Sequence, residues 1–195
     1  MRTQHTLTGL VLAITIALAG CSGAPTPAEP AAAQEPGMTS EPTEPAGPPP
    51  AIRAWMERLT VPHAYDPETG FIAARETIEL PPLLADAPPL DEALAEAERD
   101  GRLVIAFATA DRCAPCQQYK KDALNDPRVL ARLADPRLLA THVEVDRRPE
   151  LAQEHLGSLA IPMSYALRDG QRVATLRGQR TPEELLAWLE ALLAG

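Results

Sequence analysis

The sequence predicts an α/β domain, a sheet flanked by helices and closed by an antiparallel edge. Three observations predict it. From Leu90 onward, helical and strand-like segments alternate. Leu103 to Ala108 is a continuous apolar run, the mark of a strand buried on both faces. Asp169-Gly170 sits between two strand-like segments, Met163–Leu167 and Arg172–Leu176, and such a dipeptide makes a two-residue hairpin turn. No internal repeat is evident.

The chain has 195 residues and begins with an address. Arg2 supplies a short positive region, and Leu10 to Ala19 is apolar except for Thr15. Secretory apolar segments run about 7–15 residues, whereas a bilayer span needs about 20. The run ends in Leu18-Ala19-Gly20-Cys21, which resembles the lipobox of bacterial lipoproteins. That resemblance implies a signal peptide over 1–20 and a diacylglycerol thioether on Cys21. It also implies a lipid-anchored chain facing the periplasm or the cell exterior. Ser22, where an Asp would resemble an inner-membrane retention signal, favours the outer membrane.

Residues 21–50 then hold nine Pro and four Glu, with no Lys, Arg or aromatic residue. Such a composition buries too little apolar surface to offset chain entropy, so a disordered tether is expected. Residues 51–89 read as an extension that packs on the domain. Ile52, Trp55, Met56 and Leu59 recur at helical spacing, and Pro62 stops the helix. Trp55 is read as packing. Asp66-Pro67-Glu68-Thr69-Gly70 is a turn, and Phe71 to Leu80 holds a strand or two before Pro81-Pro82.

The domain proper runs over 90–195. Asp91 is expected to cap a helix through Ala93, Leu94 and Ala97, ended by Gly101. The apolar strand follows, and a helix then carries Gln117, Tyr119 and Leu124. Pro127 restarts a helix at its first position. Leu138 to Val145 is the next strand, Pro149 to Leu156 a helix, and the hairpin comes after. Thr181-Pro182-Glu183-Glu184 is a capping box that opens the last helix through Leu192.

Charge removes some functions. Acidic residues outnumber basic ones 27 to 18, for a net charge of -9. Nucleic-acid backbones need a cationic face, and polybasic membrane binding needs a basic cluster. Three Cys are too few for a disulfide-built scaffold. With Cys21 consumed by lipid, Cys113 and Cys116 remain, in an exported and disulfide-permissive setting.

Cys113-Ala114-Pro115-Cys116 lies after the buried strand and opens a helix. Unpaired N–H groups at a helix start favour a thiolate, and such C-x-x-C sulfurs have a pKa of about 3.5–7.5. The first Cys is expected to cap the helix and stay exposed, the second to lie one turn further in. That arrangement suits thiol–disulfide exchange, with Cys113 attacking and Cys116 resolving. Two other readings stay open. A purely structural disulfide would close only a short loop, and a zinc site would have to recruit scattered His residues (His63, His142, His155). A c-type haem needs His after the second Cys, where Gln117 stands.

With these residues in view, 90–195 resembles a thioredoxin-fold domain. The likeness is to exported thioredoxin-like proteins related to the C-terminal domain of the membrane thiol reductase DsbD. It rests on Leu103-Val104-Ile105-Ala106-Phe107, Cys113 to Cys116, Asn125 to Val129, Val143-Glu144-Val145-Asp146, and Gly157 through Ile161-Pro162. Gly170 and Gly178 fit the hairpin and the strand end before the last helix. The resemblance implies a three-layer sandwich, a central mixed sheet with helices on both faces. It makes Cys113 the nucleophile, Cys116 the resolving thiol and Pro162 a cis-proline that lets the Ile161 backbone pair with a substrate strand. Arg112 stands where the family has Trp, and its charge is expected to favour the Cys113 thiolate. Ala106 is taken to fill the place of a buried acid below Cys116, leaving Asp111 as a candidate proton acceptor. Met163 replaces the usual Thr after the proline.

The expected function is a membrane-tethered thiol–disulfide oxidoreductase. It would reduce protein disulfides, take electrons from a membrane thiol donor, and act as a monomer. No metal or other cofactor is called for beyond the cysteine pair itself. The alternative is a non-catalytic thioredoxin-fold binding module on a lipid-anchored stalk. One test of the organisation is limited proteolysis, which should digest 22–50 and leave a core from about residue 51 onward.

Overall fold

A computed structural model of the protein describes residues 47–194. The expected signal peptide, the lipidated Cys21 and nearly all of the tether lie outside the described residues.

The extension comes first. A short helix, α1 (Pro50–Met56), has Pro at its first position, where a missing N–H costs nothing. Two strands, β1 (His63–Asp66) and β2 (Phe71–Ala74), form an antiparallel hairpin in register His63↔Ala74 to Asp66↔Phe71. Asp66 builds the turn: its carboxylate accepts from the Glu68 N–H at 2.9 Å and the Thr69 hydroxyl at 2.6 Å. Gly70 closes it at φ 70°. The sequence reading has no strand at His63–Asp66, and it takes Pro81-Pro82 only as a boundary. Instead, Pro82 begins a one-turn helix, α2 (Pro82–Ala85).

The domain follows as α3 (Leu90–Asp100), β3 (Leu103–Thr109), α4 (Ala114–Tyr119), α5 (Pro127–Leu133), β4 (Leu138–Glu144), α6 (Pro149–Leu151), β5 (Met163–Arg168), β6 (Gln171–Arg177) and α7 (Pro182–Ala194). Wider π-helical turns extend α4 through Lys120–Leu124 and α6 through Ala152–Leu156. The expected cap at Asp91 is corrected. Helix α3 starts at Leu90, no side chain caps it, and Asp91 with Glu92 lies in its first turn, where carboxylates favour the helix dipole. Gly101 ends that helix at φ 68°. Asp126 caps α5 by accepting from the Arg128 and Val129 N–H groups. The capping box of α7 is reciprocal: Glu184 N–H donates to Thr181 Oγ1, and Thr181 N–H donates to the Glu184 carboxylate.

The four domain strands lie in the order β4-β3-β5-β6, with β3 parallel to β4 and the other pairs antiparallel. Asp169 and Gly170 both take positive φ, as a tight hairpin of this twist requires. Every residue of β3 is buried. Ile105 and Phe107 face one layer, made by Tyr119, Ala123 and Leu124 of the α4 segment with Val129, Leu133, Leu185 and Leu189. Val104, Ala106 and Ala108 face the other, made by Leu90 and Ala97 of α3 with Ala152 and Leu156. The result is a mixed sheet between two helical layers, the thioredoxin-like α/β fold.

This parity corrects one expectation. Ala106 points away from the cysteine helix. The β3 side chain directed at α4 is Phe107, whose ring meets Tyr119 edge-on at 6.3 Å. Phe107→Ala should lower unfolding stability by about 3–5 kcal/mol, read by denaturant titration, because a fully buried ring leaves a cavity.

Candidate active site at the cysteine helix

Cys113 caps α4, and Cys116 lies one turn along it. The two form a disulfide with Cα atoms 5.2 Å apart. The Cys116 N–H donates to Cys113 Sγ at 3.2 Å, so the first sulfur takes one of the helix's free N–H groups. That contact would hold negative charge on Cys113 once the bond is reduced. The Ile161–Pro162 peptide bond is cis, and Ile161 packs beside both cysteines. Met163, next in sequence, starts β5 and pairs with Ala108.

Exposure differs from expectation. Cys113 is 2% exposed rather than open, and Cys116 is fully buried. Phe71 of β2 packs with Ala110, Cys113, Cys116 and Ile161. Ala73 forms an antiparallel bridge to Cys113, and the Ala74 N–H donates to the Arg112 carbonyl at 2.8 Å. The extension therefore reaches the cysteines themselves.

Two neighbouring glutamines anchor it. Gln117 is fully buried. Its amide N–H₂ donates to the carbonyls of Ala110 and Asp111, and its oxygen accepts from Ile78 N–H at 2.6 Å. Gln118 Oε1 accepts from the N–H groups of Thr60 and Val61 at 2.7 and 3.1 Å. Leu59, Val61 and Ile72 bury against Ala114, with Trp55 packed beside them. Nothing local in the sequence marks Phe71, Gln117 or Gln118 for these roles, because the partners are 39 to 58 residues away.

Arg112 also differs. Its Nε donates to Asp146 Oδ2 at 2.7 Å, and its guanidinium lies 4.8 Å above the Phe71 ring. The bond to Asp146 holds its pKa above the ordinary value. The charge is thus kept but neutralised by a partner, which weakens its pull on a Cys113 thiolate.

Behind the helix lies a buried polar cluster. Lys120, four residues after Cys116, has a side chain 3% exposed; its Nζ donates to Asp111 Oδ1 at 3.0 Å and stands 3.9 Å from Glu144 Oε2. Asp111 also pairs with Arg147, and its N–H donates to Glu144 Oε1. Burial works to raise the Asp111 pKa, but Lys120 and Arg147 outweigh it and hold the carboxyl below its usual range. Asp111 is therefore a poor proton acceptor near neutral pH, contrary to the role considered for it. Burial pushes Glu144 the other way, upward. A Lys in a helix reads as surface, so only its spacing from Cys116 hinted at an inward position.

His142 shares this cluster, with Nε2 2.7 Å from Thr109 Oγ1. Burial, helped by the Lys120 charge, lowers its pKa to about 3. Among the described residues, no group of three or more His, Cys, Asp or Glu could hold a metal ion, and no helix is long and apolar enough to cross a membrane.

Comparison with known proteins agrees with this geometry. Residues 86–167 match the family model described as thioredoxin-like, in keeping with the fold of that segment. A curated relative, thioredoxin H-type of Populus jackii, is 33% identical over 95 residues. The match takes in 48% of this chain and 63% of that protein, so the chain spans a little under two thirds of the relative's length. Among solved structures, a thioredoxin from Thermus thermophilus has 32% identity and a TM-score of 0.47, covering 54% of this chain and 84% of that one. A poplar thioredoxin h mutant has 30% identity and a TM-score of 0.45, covering 54% and 76%. The domain match and the cysteine pair point to thiol–disulfide chemistry.

The His142 environment generates a pH prediction. Its folded pKa lies below its unfolded value of 6.5, so the unfolded chain binds more protons between the two. Stability from this group is present above pH 6.5 and is lost as pH falls towards 3. Wild type should lose about 2 kcal/mol more than His142→Asn between pH 7 and pH 5, compared by urea unfolding of both proteins.

Proposed function

We propose that this protein is an exported, lipid-tethered thiol–disulfide oxidoreductase that reduces protein disulfides through Cys113 and Cys116. The observation that carries this reading is the disulfide at the start of α4, beside Ile161 and the cis Pro162. In the reduced enzyme the Cys113 thiolate attacks one sulfur of a partner disulfide. A Cys113–partner bond forms, and the other partner sulfur leaves as a thiolate. Cys116 then loses its proton and attacks Cys113 Sγ, and the second partner sulfur leaves. Two electrons have passed to the partner, and the Cys113–Cys116 disulfide is regenerated. An external dithiol, by this reading a membrane thiol donor, returns the electrons. Ile161 offers backbone for an extended partner strand. Lipid on Cys21 and the tether after it would hold the domain near the membrane. The DsbD-like branch, the anchor and the outer-membrane site are part of this proposal.

A second reading has one observation in its favour. Cys113 is covered, as a non-catalytic binding module with an inert disulfide would leave it. Trapping separates the two. Cys116→Ser should accumulate a mixed disulfide between Cys113 and partner proteins, because the first step proceeds and the second cannot. Cys113→Ser should trap little. Non-reducing gels of both variants, expressed with the native lipobox, read the outcome. Partners bound without a reductant-sensitive link would sink the enzymatic reading.

A further inference from the structure

We propose that the β1–β2 hairpin is a strap that occupies the partner's seat at Cys113, and that an extended, cysteine-bearing partner strand displaces it. Displacement by a partner rests on the exchange reading above; the strap itself does not. Thiol–disulfide exchange needs a third sulfur to reach the attacked one, and its rate depends on that access. Here Cys113 is 2% exposed and Cys116 not at all. Phe71 of the hairpin packs against them, together with Ile161.

The cover is a strand, and it bonds as a strand. Ala73 bridges Cys113 in antiparallel fashion, and the Ala74 N–H donates to the Arg112 carbonyl at 2.8 Å. A partner strand pairing with the Ile161 backbone would need the apolar patch beside Cys113 that Phe71 fills. The strap therefore imitates a substrate and competes with it. A disulfide locked in a rigid folded surface cannot take the place of β2, whereas a loose segment can. The hairpin thus selects for extended partners.

The anchoring suits a strap that lifts. The two ends are held firmly, Thr60 and Val61 by Gln118 and Ile78 by Gln117. Between them the hairpin belongs to no larger sheet. A two-stranded hairpin is marginal alone. Its hold on the cysteine loop is the single bridge with its neighbouring hydrogen bond, the Phe71 contact, and the Arg112 guanidinium above the Phe71 ring. Ile72 is its one buried side chain. Opening about the glutamine anchors would free Cys113 while leaving α4 in place.

The test is the reduction rate of the Cys113–Cys116 disulfide in the full-length chain with tris(2-carboxyethyl)phosphine. This reagent takes the two sulfurs to thiols and is itself oxidised to the phosphine oxide, with oxygen from water. For a strap, the wild-type rate should level off at high phosphine because opening becomes limiting, and Phe71→Ala should raise that plateau about tenfold. Ala74→Pro, which removes the donor to Arg112, should act in the same direction and keeps the test alive if Phe71→Ala fails to fold. A rate that stays linear in phosphine and is equal in wild type and either folded variant overturns the proposal. The second arm uses Cys116→Ser and a short extended peptide whose cysteine is activated as a disulfide with thionitrobenzoate. Cys113 attacks the peptide sulfur and thionitrobenzoate leaves. Acceleration by Phe71→Ala supports displacement. Equal rates overturn the strap while leaving the exchange reading intact. If no mixed disulfide forms in either background but phosphine reduction still accelerates, the strap stands and the exchange reading falls.

Discussion

Burial of β3 on both faces is the constraint on which the rest depends. Seven consecutive buried residues must find apolar cover above and below, and that demand places α3 on one side and the α4 segment with α7 on the other. The end of β3 is then fixed, and the chain has only Ala110, Asp111 and Arg112 in which to turn before Cys113 caps α4. The position of the dithiol is a consequence of the core, not a local property of the cysteines. Phe107 meeting Tyr119 sets the depth at which the helix sits, and the Tyr119 hydroxyl reaches Ser164 on β5, 2.9 Å away. The site is thereby tied to two strands at once.

A second balance lies behind the helix. Lys120 and Arg147 meet Asp111, with Glu144 close to Lys120; Lys120 is buried while Arg147 reaches solvent. Removing Asp111 would leave the buried Lys120 without its nearest partner, which costs more than the pair contributes. Asp111 and the imidazole of His142 are held in opposite charge states. Pairing keeps Asp111 ionised, while burial keeps His142 neutral.

Much of this was legible in the sequence, where the signal was local. Asp169-Gly170 names its own turn, Asp126-Pro127 and Thr181-Pro182-Glu183-Glu184 name helix starts, and an unbroken apolar run names a central strand. The misreadings share a cause. A run that is apolar at every position carries no alternation, so it cannot say that Phe107 rather than Ala106 faces the helix. Asp91 is a good cap by type, yet the helix starts two residues earlier than that cap would place it, with Leu90 in the core. The cysteine pair was found by spacing, but its burial was not, since Phe71 lies more than 40 residues upstream. The charge of Arg112 is visible in the sequence, but its partner Asp146 sits on a distant turn.

Helix α4 is buried all round, from Ala114 to Tyr119. A helix at the face of a sheet ordinarily shows its outer side to water, as amphipathic patterning expects. Here Leu59, Val61 and Ile72 cover that side, and two glutamine amides satisfy the backbone that does so. The span matched by the family model, 86–167, therefore lacks the residues that cover the outer side of α4. A chain cut before residue 86 would uncover the outer side of Ala114 and give the amides of Gln117 and Gln118 back to water. Water can replace the hydrogen bonds but not the apolar cover. The apolar cover of α4 thus comes from outside the span that the family model recognises.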